Sequence, residues 1–284
     1  MRILVFLILL IAIAGAAFFL SRPRFGSYER WFAPKANLWA KWEAHEDTSE
    51  GRIDHSAWSE FHGKYRTHNV LGQARVNYSA VTQNDKAGLD AYVAMLSGTP
   101  IEAFRRDIQL AFWINNYNAL TVQLILDNYP VASIRDIPGA SRWFSIGPWD
   151  NSLITVSGEE LTINDIEHRI LRPIWREPRL HYVLNCASVG CPDLGAVAFD
   201  SDAIEATFDS AARRYVNDSR GVSVEGNRIS VSRIYDWFIS DFGGTERGII
   251  NHLEIYANPE LRVQLTSIGS LTGQHYDWSL NAFE

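Results

Sequence analysis

The stretch FWINNYNAL, residues 112–120, lies in the middle of the longest helical pattern in the chain and decides the fold. Apolar side chains recur at helical spacing from residue 101 to residue 128, and they cover more than one stripe of the helix surface. The helix should end before Pro130, because proline disfavours the helical conformation of the residue that precedes it. A helix that is apolar on most sides must be covered on most sides. We therefore predict one long, central, buried helix.

Three asparagines interrupt this apolar pattern, and each is a poorer helix former than alanine. Asn115 and Asn118 share one face of the helix with small and apolar residues, so both side chains should be buried. A buried amide must be hydrogen-bonded. Two roles satisfy that requirement: the asparagines tie down a neighbouring loop, or they line a polar pocket and bind a ligand.

Shorter elements flank the central helix. A helix that begins at the capping residue Thr162 should stop at Pro173. Strands are expected over residues 152–156 and 180–186, and a hairpin around the turn at 225–227. Helical spacing predicts further helices over residues 56–65, 86–96, 202–216, 232–242 and 246–257. An extended tail comes after them. The pattern predicts an α/β fold of the α+β kind, with helices packed on a small mixed or antiparallel sheet.

An apolar segment precedes the domain. Residues 3–20 are 18 uninterrupted apolar positions, which as a helix would be about 27 Å long, close to the thickness of a bilayer's hydrocarbon layer. We predict that residues 1–22 form a membrane anchor or signal segment, residues 23–56 a juxtamembrane connector, and residues 57–284 a single globular domain. The expected partners are the membrane, through residues 3–20, and an unknown small molecule or protein.

Two opposing signals bear on the orientation of this segment. Basic residues on its C-terminal side favour a cytoplasmic domain. A head of only two residues before it is typical of a signal sequence, which directs the downstream chain across the membrane. We expect the second signal to prevail, which places a membrane-anchored domain in the periplasm or outside the cell. Cleavage at the small residues 14–16 would instead give a secreted form.

The composition excludes some functions. The formal net charge of −7 opposes attraction to nucleic acid, because phosphate binding needs a basic surface. An apolar fraction of 46% and a charged fraction of 21% are ordinary for a folded protein with a core. The sequence contains no G-x-G-x-x-G loop, P-loop, H-E-x-x-H or G-x-S-x-G motif. We therefore predict no nucleic-acid partner and no cofactor.

Glu167 is the first candidate for chemistry. In the short helix it falls within an apolar arc of isoleucines, whereas His168 points about 100° away from it. A partly buried carboxylate needs a cationic or hydrogen-donating partner, since its pKa otherwise rises. The partner is either a buried arginine, in a structural role, or a histidine that Glu167 orients for catalysis.

The segment HYVLNCASVGCP, residues 181–192, holds the remaining candidates. Cys186 at the end of the predicted strand enters a turn whose backbone N–H groups would favour a thiolate. His181 is a candidate base, although strand alternation places the two side chains on opposite faces unless the strand ends early. His168 is the alternative base. Cys186 could equally be a small buried residue, form a disulfide with Cys191, or share a zinc ion with it. The C-x4-C spacing lacks the second pair of ligands usual for zinc, so no metal site is predicted.

Several ordered motifs resemble a known family. They are AFWIN and YNALT in residues 111–121, DIEH in 165–168, CAS and GCP in 186–192, DWF and DFGG in 236–244, and YDWSLN in 276–281. Over residues 57–281 the chain is similar to the bacterial branch of the domain-of-unknown-function 547 family. The resemblance implies a domain that accompanies other modules in larger eukaryotic proteins, which favours binding or scaffolding. Asn116 stands where a small residue is common in the family, which disfavours it as a site residue.

These observations support two functional hypotheses. The first is a membrane-tethered module that binds a ligand or protein partner at the polar cluster of asparagine, glutamate, histidine and cysteine. The second is a thiol-dependent hydrolase or transferase that acts on envelope peptides or amides. We favour the first. The candidate catalytic residues are Cys186, His181 and Glu167, with His168 as the alternative base, and the candidate ligand-binding residues are Asn115, Asn118 and Cys191.

Overall fold

The computed structural model describes residues 26–139 and 147–283. Over these residues the chain has an α+β fold, in which helices surround small sheets of two or three strands, and the predicted fold class is confirmed. The helices are α1 (Ser56–Tyr65), α2 (Gln83–Ser97), α3 (Arg106–Asn128), α4 (Arg172–Trp175), α5 (Ile204–Val216), α6 (Arg233–Trp237), α7 (Glu246–Tyr256) and α8 (Pro259–Ile268). The strands are β1 (Arg66–His68), β2 (Ala74–Val76), β3 (Ser152–Val156), β4 (Glu159–Thr162), β5 (Val222–Glu225), β6 (Arg228–Ser232) and β7 (Gly273–His275).

Helix α3 is the centre of the structure. Every residue from Ile108 to Val122 is buried, so the predicted long central helix is confirmed. Its first turn differs from the prediction, because residues Ile101–Ala103 form a separate 3-10 turn and Arg105 is extended. Helix α2 packs against one side of α3, and the segment that carries Glu167 packs against another. The asparagines of α3 therefore reach neighbouring segments from inside the core.

The sheets are small and mostly antiparallel. Strands β1 and β2 form one antiparallel pair, and β3 and β4 form another. Strands β5 and β6 form the predicted hairpin, with Val222 opposite Val231 and Val224 opposite Ile229. Its turn uses Gly226 at a positive φ of 58°, which glycine adopts without steric cost. Strand β7 adds to β6 in parallel, so this sheet is mixed.

The prediction of a strand over residues 180–186 is wrong. Residues Pro178–Tyr182 form a 3-10 helix instead, and the backbone N–H groups of Val183 and Leu184 both bond to the carbonyl of Leu180. The Glu177 side chain caps this turn by accepting from the N–H of Arg179. All side chains from Leu180 to Asn185 are buried, so the alternation that suggested a strand reflects burial on every side.

One helix boundary and one whole helix also differ from the predictions. The helix that begins after Thr162 does not stop at Pro173, because this proline lies in the first turn of α4, where its missing N–H is not needed. Thr162 caps the helix as predicted, by accepting from the N–H of Asp165. Helix α8 lies within the predicted extended tail. It carries the usual terminal signals, with Asn258 as N-cap and Gly269 as C-cap at a positive φ.

The segment after residue 26 packs on the domain. Trp42 is buried and contacts the ring of Trp113 edge-on at 5.1 Å. The backbone N–H of Asn37 donates to the carbonyl of His168 at 2.8 Å, and Arg30 pairs with Asp236. In the two described ranges, no helix is both long and apolar enough to cross a membrane. The apolar run at residues 3–20 lies outside those ranges.

Candidate functional site

A π-helical segment places the first site residues. Residues Asp165–Leu171 form a π-helix that continues into α4, and such widened turns occur frequently at functional sites. Both Glu167 and His168 are buried here, although the sequence placed only Glu167 within the apolar arc. The π geometry changes the angle between successive side chains, which an α-helical projection does not include.

Glu167 and the two histidines lie together. The Oε1 atom of Glu167 is 3.8 Å from Nδ1 of His168 and 3.8 Å from Nδ1 of His181. Arg172 donates from Nη1 to Nδ1 of His168 at 3.0 Å, so this ring nitrogen is an acceptor. Burial lowers the pKa of His168 to about 4. His168 is therefore a neutral imidazole at pH 7.

Asp241 closes this group on its other side. His181 donates from Nε2 to Oδ2 of Asp241 at 2.8 Å, and Arg172 donates to both carboxylate oxygens at 2.6 and 3.1 Å. Burial pushes the pKa of Asp241 upward, but the hydrogen bonds from His181 and Arg172 outweigh it and hold the pKa well below its usual range. The ring of Phe238 stacks on His181 at 4.5 Å, and its centre is also 4.5 Å from the Arg172 guanidinium.

A groove opens directly above Arg172 and Asp241. Its volume is about 1030 Å³, and three segments line it: residues 30–38, 172–177 and 237–241. Arg172 joins two of these walls, because Nη1 also donates to the carbonyl of Pro34 at 2.9 Å. The groove is large enough for a small-molecule ligand.

Cations dominate the groove. Its lining contains four cationic side chains and two carboxylates. The cations are Arg30, Lys35, Arg172 and Arg176, and the carboxylates are Glu177 and Asp241. Arg172 is already paired with Asp241. Lys35 and Arg176 are exposed, and no ion pair to either side chain is found in the described part of the chain. Arg176 adopts a left-handed conformation, with φ of 51°, at the end of α4. These two cations can therefore meet an incoming anion.

The cysteines form a separate cluster. Cys186 and Cys191 are joined in a disulfide, one of the alternatives that the sequence left open. While the bond stands, Cys186 is not a thiol nucleophile. Its sulfur contacts the hydroxyls of Ser188 and Tyr276. Both ring nitrogens of His181 face carboxylates, Glu167 and Asp241, so the proposed pairing of His181 with Cys186 is not formed in the structure.

Asn115 and Asn118 hold loops in place. Asn115 donates to the carbonyl of Phe199 and accepts from the N–H of the same residue, at 2.9 and 2.8 Å. Asn118 donates to the carbonyl of Val183 and accepts from the N–H of Asn185, at 2.9 and 2.8 Å. Both amides are buried, and in each the nitrogen and the oxygen bond to the backbone of a neighbouring segment. These bonds correspond to the first of the two predicted roles, which is to tie down a loop.

Sequence reasoning missed several members of the site. Asp241 and Tyr276 belong to the motifs that carry the family resemblance, so their positions were visible although their roles were not. Tyr117 lies beside Glu167, and burial first, then the Glu167 carboxylate, raises its pKa well above the usual value. Arg172 is the buried arginine considered as a partner for Glu167, but its carboxylate partner is Asp241. Among the described residues, no group of three or more histidine, cysteine, aspartate or glutamate side chains could hold a metal ion.

The fold and the site together define a globular α+β module. Residues 101–216 match the family model described as "Protein of unknown function, DUF547". This match supports the relationship to the DUF547 family that the motifs predict, and it covers all seven candidate site residues. The assignment to a bacterial branch stays a prediction. No curated protein and no solved structure matches the chain.

Proposed function

We propose that the protein is a membrane-tethered module, held outside the cytoplasm, that binds a small anionic ligand in the groove between residues 30–38, 172–177 and 237–241. One observation carries this proposal: the exposed cations Lys35 and Arg176 line a groove of about 1030 Å³ whose lining also includes the Arg172–Asp241 ion pair. Arginine and lysine side chains suit a carboxylate or a phosphate.

The apolar lining indicates the rest of the ligand. Trp31, Leu38, Trp237 and Ile239 line the same groove as the cations. Aromatic and aliphatic surfaces favour a ring or a chain beside the anionic group, because its burial adds apolar contact. The protein carries a net charge of −7, which opposes the approach of any anion. Binding of an anion must therefore come from the local arrangement of Lys35 and Arg176.

The sequence supports the tether. The apolar run at residues 3–20 has the length and the composition of a membrane-spanning helix. The groove wall begins at residue 30, and ten residues of extended chain reach at most about 35 Å. The groove would thus lie close to the membrane surface. A disulfide between Cys186 and Cys191 is also in keeping with an oxidising compartment outside the cytoplasm.

The alternative hydrolase or transferase lacks its nucleophile while the disulfide stands, so binding is the function that the geometry supports best. The test is calorimetric titration of the full-length protein, in phosphatidylcholine nanodiscs, with phenyl phosphate. Phenol and empty nanodiscs serve as controls. We expect binding of phenyl phosphate, and binding of phenol at least tenfold weaker.

Two double variants test whether phenyl phosphate binds in the groove. Lys35→Ala combined with Arg176→Asn should weaken binding of phenyl phosphate at least tenfold, and asparagine is chosen because it tolerates the left-handed conformation of Arg176. Arg228→Asn combined with Arg247→Ala removes the same charge from exposed positions outside the groove, and should change the affinity less than twofold. Equal losses in the two double variants, or no binding to the wild type, would contradict the proposal.

The tether has its own test. Alkaline phosphatase fused after residue 284 should be active in a bacterial host, and green fluorescent protein at the same position should be dark, if the domain lies outside the cytoplasm. The opposite pattern would place the domain inside.

A further inference from the structure

Hydrogen-bond donors surround the two bridged sulfurs. The Tyr276 hydroxyl oxygen lies 3.1 Å from Cys186 Sγ and 3.1 Å from Cys191 Sγ. The backbone N–H of Cys186 donates to Cys191 Sγ at 3.0 Å. A bridged sulfur carries no hydrogen, so the hydroxyl is the donor in these contacts. Burial raises the pKa of Tyr276 far above its usual range, so this side chain keeps the proton that it donates.

The Tyr276 hydroxyl is itself held in position. Ser188 Oγ lies 2.8 Å from it, and the Tyr276 ring packs between Trp237 and Trp278 at 4.8 and 4.7 Å. A neutral disulfide sulfur is a weak acceptor, whereas a thiolate is a strong one. The two donors on Cys191 therefore contribute most when the S–S bond is open and Cys191 carries a negative charge.

Burial distinguishes the two sulfurs. Cys191 is only 3% exposed, whereas Cys186 is partly exposed. An external thiolate can thus reach Cys186, whose sulfur contacts the Ser188 and Tyr276 hydroxyls. Cys191 is buried, and its sulfur accepts from the backbone N–H of Cys186 as well as from the Tyr276 hydroxyl. In thiol–disulfide exchange, the leaving sulfur departs faster when its thiolate is stabilised. Exposure thus makes Cys186 the sulfur that is attacked and Cys191 the sulfur that leaves.

We propose that Cys186–Cys191 is an exchange centre that oxidises a dithiol partner. A thiolate of the partner attacks Cys186 Sγ, a bond forms between these two sulfurs, and the Cys186–Cys191 bond breaks with its electron pair passing to Cys191. The second thiolate of the partner then attacks the partner's own bridged sulfur and releases Cys186 as a thiolate. Two electrons pass from the dithiol to the protein, and the two thiol protons of the partner go to solvent or to the cysteines.

The loop is built to persist without its bridge. Asn185 accepts from the N–H of Ala187 at 2.9 Å and donates to the carbonyl of Pro192 at 2.7 Å. The N–H groups of Val189 and Gly190 bond to the C-terminal tail at 2.7 and 2.8 Å. A bridge with a sequence separation of five also constrains the unfolded chain less than one across a long loop. The reduced protein should therefore keep the Cys186 N–H and Tyr276 hydroxyl in place.

The backbone at Ala187 supports a functional role. This residue comes directly after Cys186 and has φ of 60°, a left-handed conformation that is strained for alanine. Strain of this kind concentrates at active sites and switches, where the surrounding structure imposes it. Here the N–H of Ala187 donates to the Asn185 side chain and its carbonyl accepts from the N–H of Asn281, and these two bonds hold the conformation.

The test is the rate at which dithiothreitol reduces the bridge in the folded full-length protein, in nanodiscs, measured by alkylation and mass spectrometry. Tyr276→Phe should slow reduction at least tenfold, because the leaving Cys191 thiolate loses a donor. Tyr235→Phe is the matched control, since Tyr235 is also buried but its hydroxyl contacts Tyr182. Its rate should stay within twofold of the wild type. A bridge that is not reduced while the protein is folded, or equal rates in Tyr276→Phe and wild type, would overturn the proposal.

Two further readouts separate chemistry from structure. In Cys186→Ala, the thiolate absorbance of Cys191 near 240 nm should appear at a pH about one unit lower than in Cys186→Ala with Tyr276→Phe. Oxidised glutathione should modify Cys186 in Cys191→Ala, but should leave Cys191 unmodified in Cys186→Ala. Identical titrations, or faster modification of Cys191, would contradict the assigned roles.

Discussion

His181 donates a hydrogen bond from Nε2 to Asp241 Oδ2 at 2.8 Å, and the same carboxylate accepts from Arg172. The Asp241 side chain thus connects its own segment, which ends before Gly243, to the 3-10 turn that carries His181 and to the start of α4. The side chains of Arg172 and His181 are each only 2% exposed, so neither has water as an alternative partner. Asp241 is the carboxylate that makes their burial tolerable.

Replacement of this carboxylate should therefore destabilise the fold. Asp241→Asn leaves the Arg172 guanidinium buried without its counter-charge, and we expect a loss of about 3 kcal/mol in the free energy of unfolding. Asp202→Asn is the control, because Asp202 pairs with Arg52 at an exposed site and such pairs contribute about 0.5 kcal/mol. Urea denaturation in detergent measures both. Equal losses in the two variants would show that Asp241 has no structural role beyond that of a surface ion pair.

Two asparagines of α3, Asn116 and Asn118, offer a second comparison. Asn118→Ala removes two bonds to backbone and leaves the carbonyl of Val183 and the N–H of Asn185 buried without partners, so we expect a loss of about 2–4 kcal/mol. Asn116→Ala should cost far less, because neither amide atom of Asn116 has a hydrogen-bond partner among the described residues. Thermal unfolding ranks the two variants. A greater loss in Asn116→Ala would contradict the assigned roles.

Buried histidines should make the fold sensitive to acid. Burial lowers the pKa of His62 to about 3 and the pKa values of His168 and His252 to about 4. The unfolded chain then binds protons that the folded protein does not, so stability is full above about pH 6.5 and is lost as the pH falls from 6.5 towards 4. Asp241, whose pKa is lowered, adds a further loss only below its ordinary value of 3.8.

His62→Phe isolates one of these contributions. His62 is buried and contacts the ring of Trp58 edge-on at 4.1 Å, which phenylalanine can reproduce. Between pH 7.5 and pH 4.5, the free energy of unfolding should fall on the order of 2 kcal/mol less in the variant than in the wild type. His45→Asn, at an exposed position, should retain the wild-type pH dependence. The same pH dependence in wild type and His62→Phe would contradict a neutral buried His62.

Much of the fold was predictable from local patterns. The apolar positions of α3 repeat over six turns, and the hairpin at Gly226 combines alternating valines with a turn residue that accepts positive φ. The strand predicted over residues 180–186 failed because complete burial makes a 3-10 turn as apolar as a strand. Helix α8 was missed although Asn258, Pro259 and Gly269 mark its ends, since only Leu261 and Leu265 are buried in it.

Part of the polar cluster was predictable from the sequence, whereas its geometry and its other members were not. Glu167, His168 and His181 do converge, as the coincidence of motifs indicates. The π-helical turn that carries Glu167 and His168 cannot be read from an α-helical projection. Asp241 lies 60 residues after His181 in the sequence, so no local spacing links them. The groove depends on residues 30–38, which the sequence presents as a connector.

Binding in the groove should respond to salt. Lys35 and Arg176 are exposed, so added ions screen their attraction for an anion. Raising sodium chloride from 50 to 500 mM should weaken phenyl phosphate binding severalfold, as measured by calorimetry. Affinity that does not change with salt would indicate a purely apolar contact with the ligand.

The most direct measurement is the position of a covalent label. Photolysis of 4-azidophenyl phosphate with the full-length protein, and then peptide mass spectrometry, should place the label within residues 30–38, 172–177 or 237–241. Excess phenyl phosphate should suppress that labelling. Labelling that lies mainly in other segments, or that phenyl phosphate does not suppress, would contradict an anion-binding groove above Arg172 and Asp241.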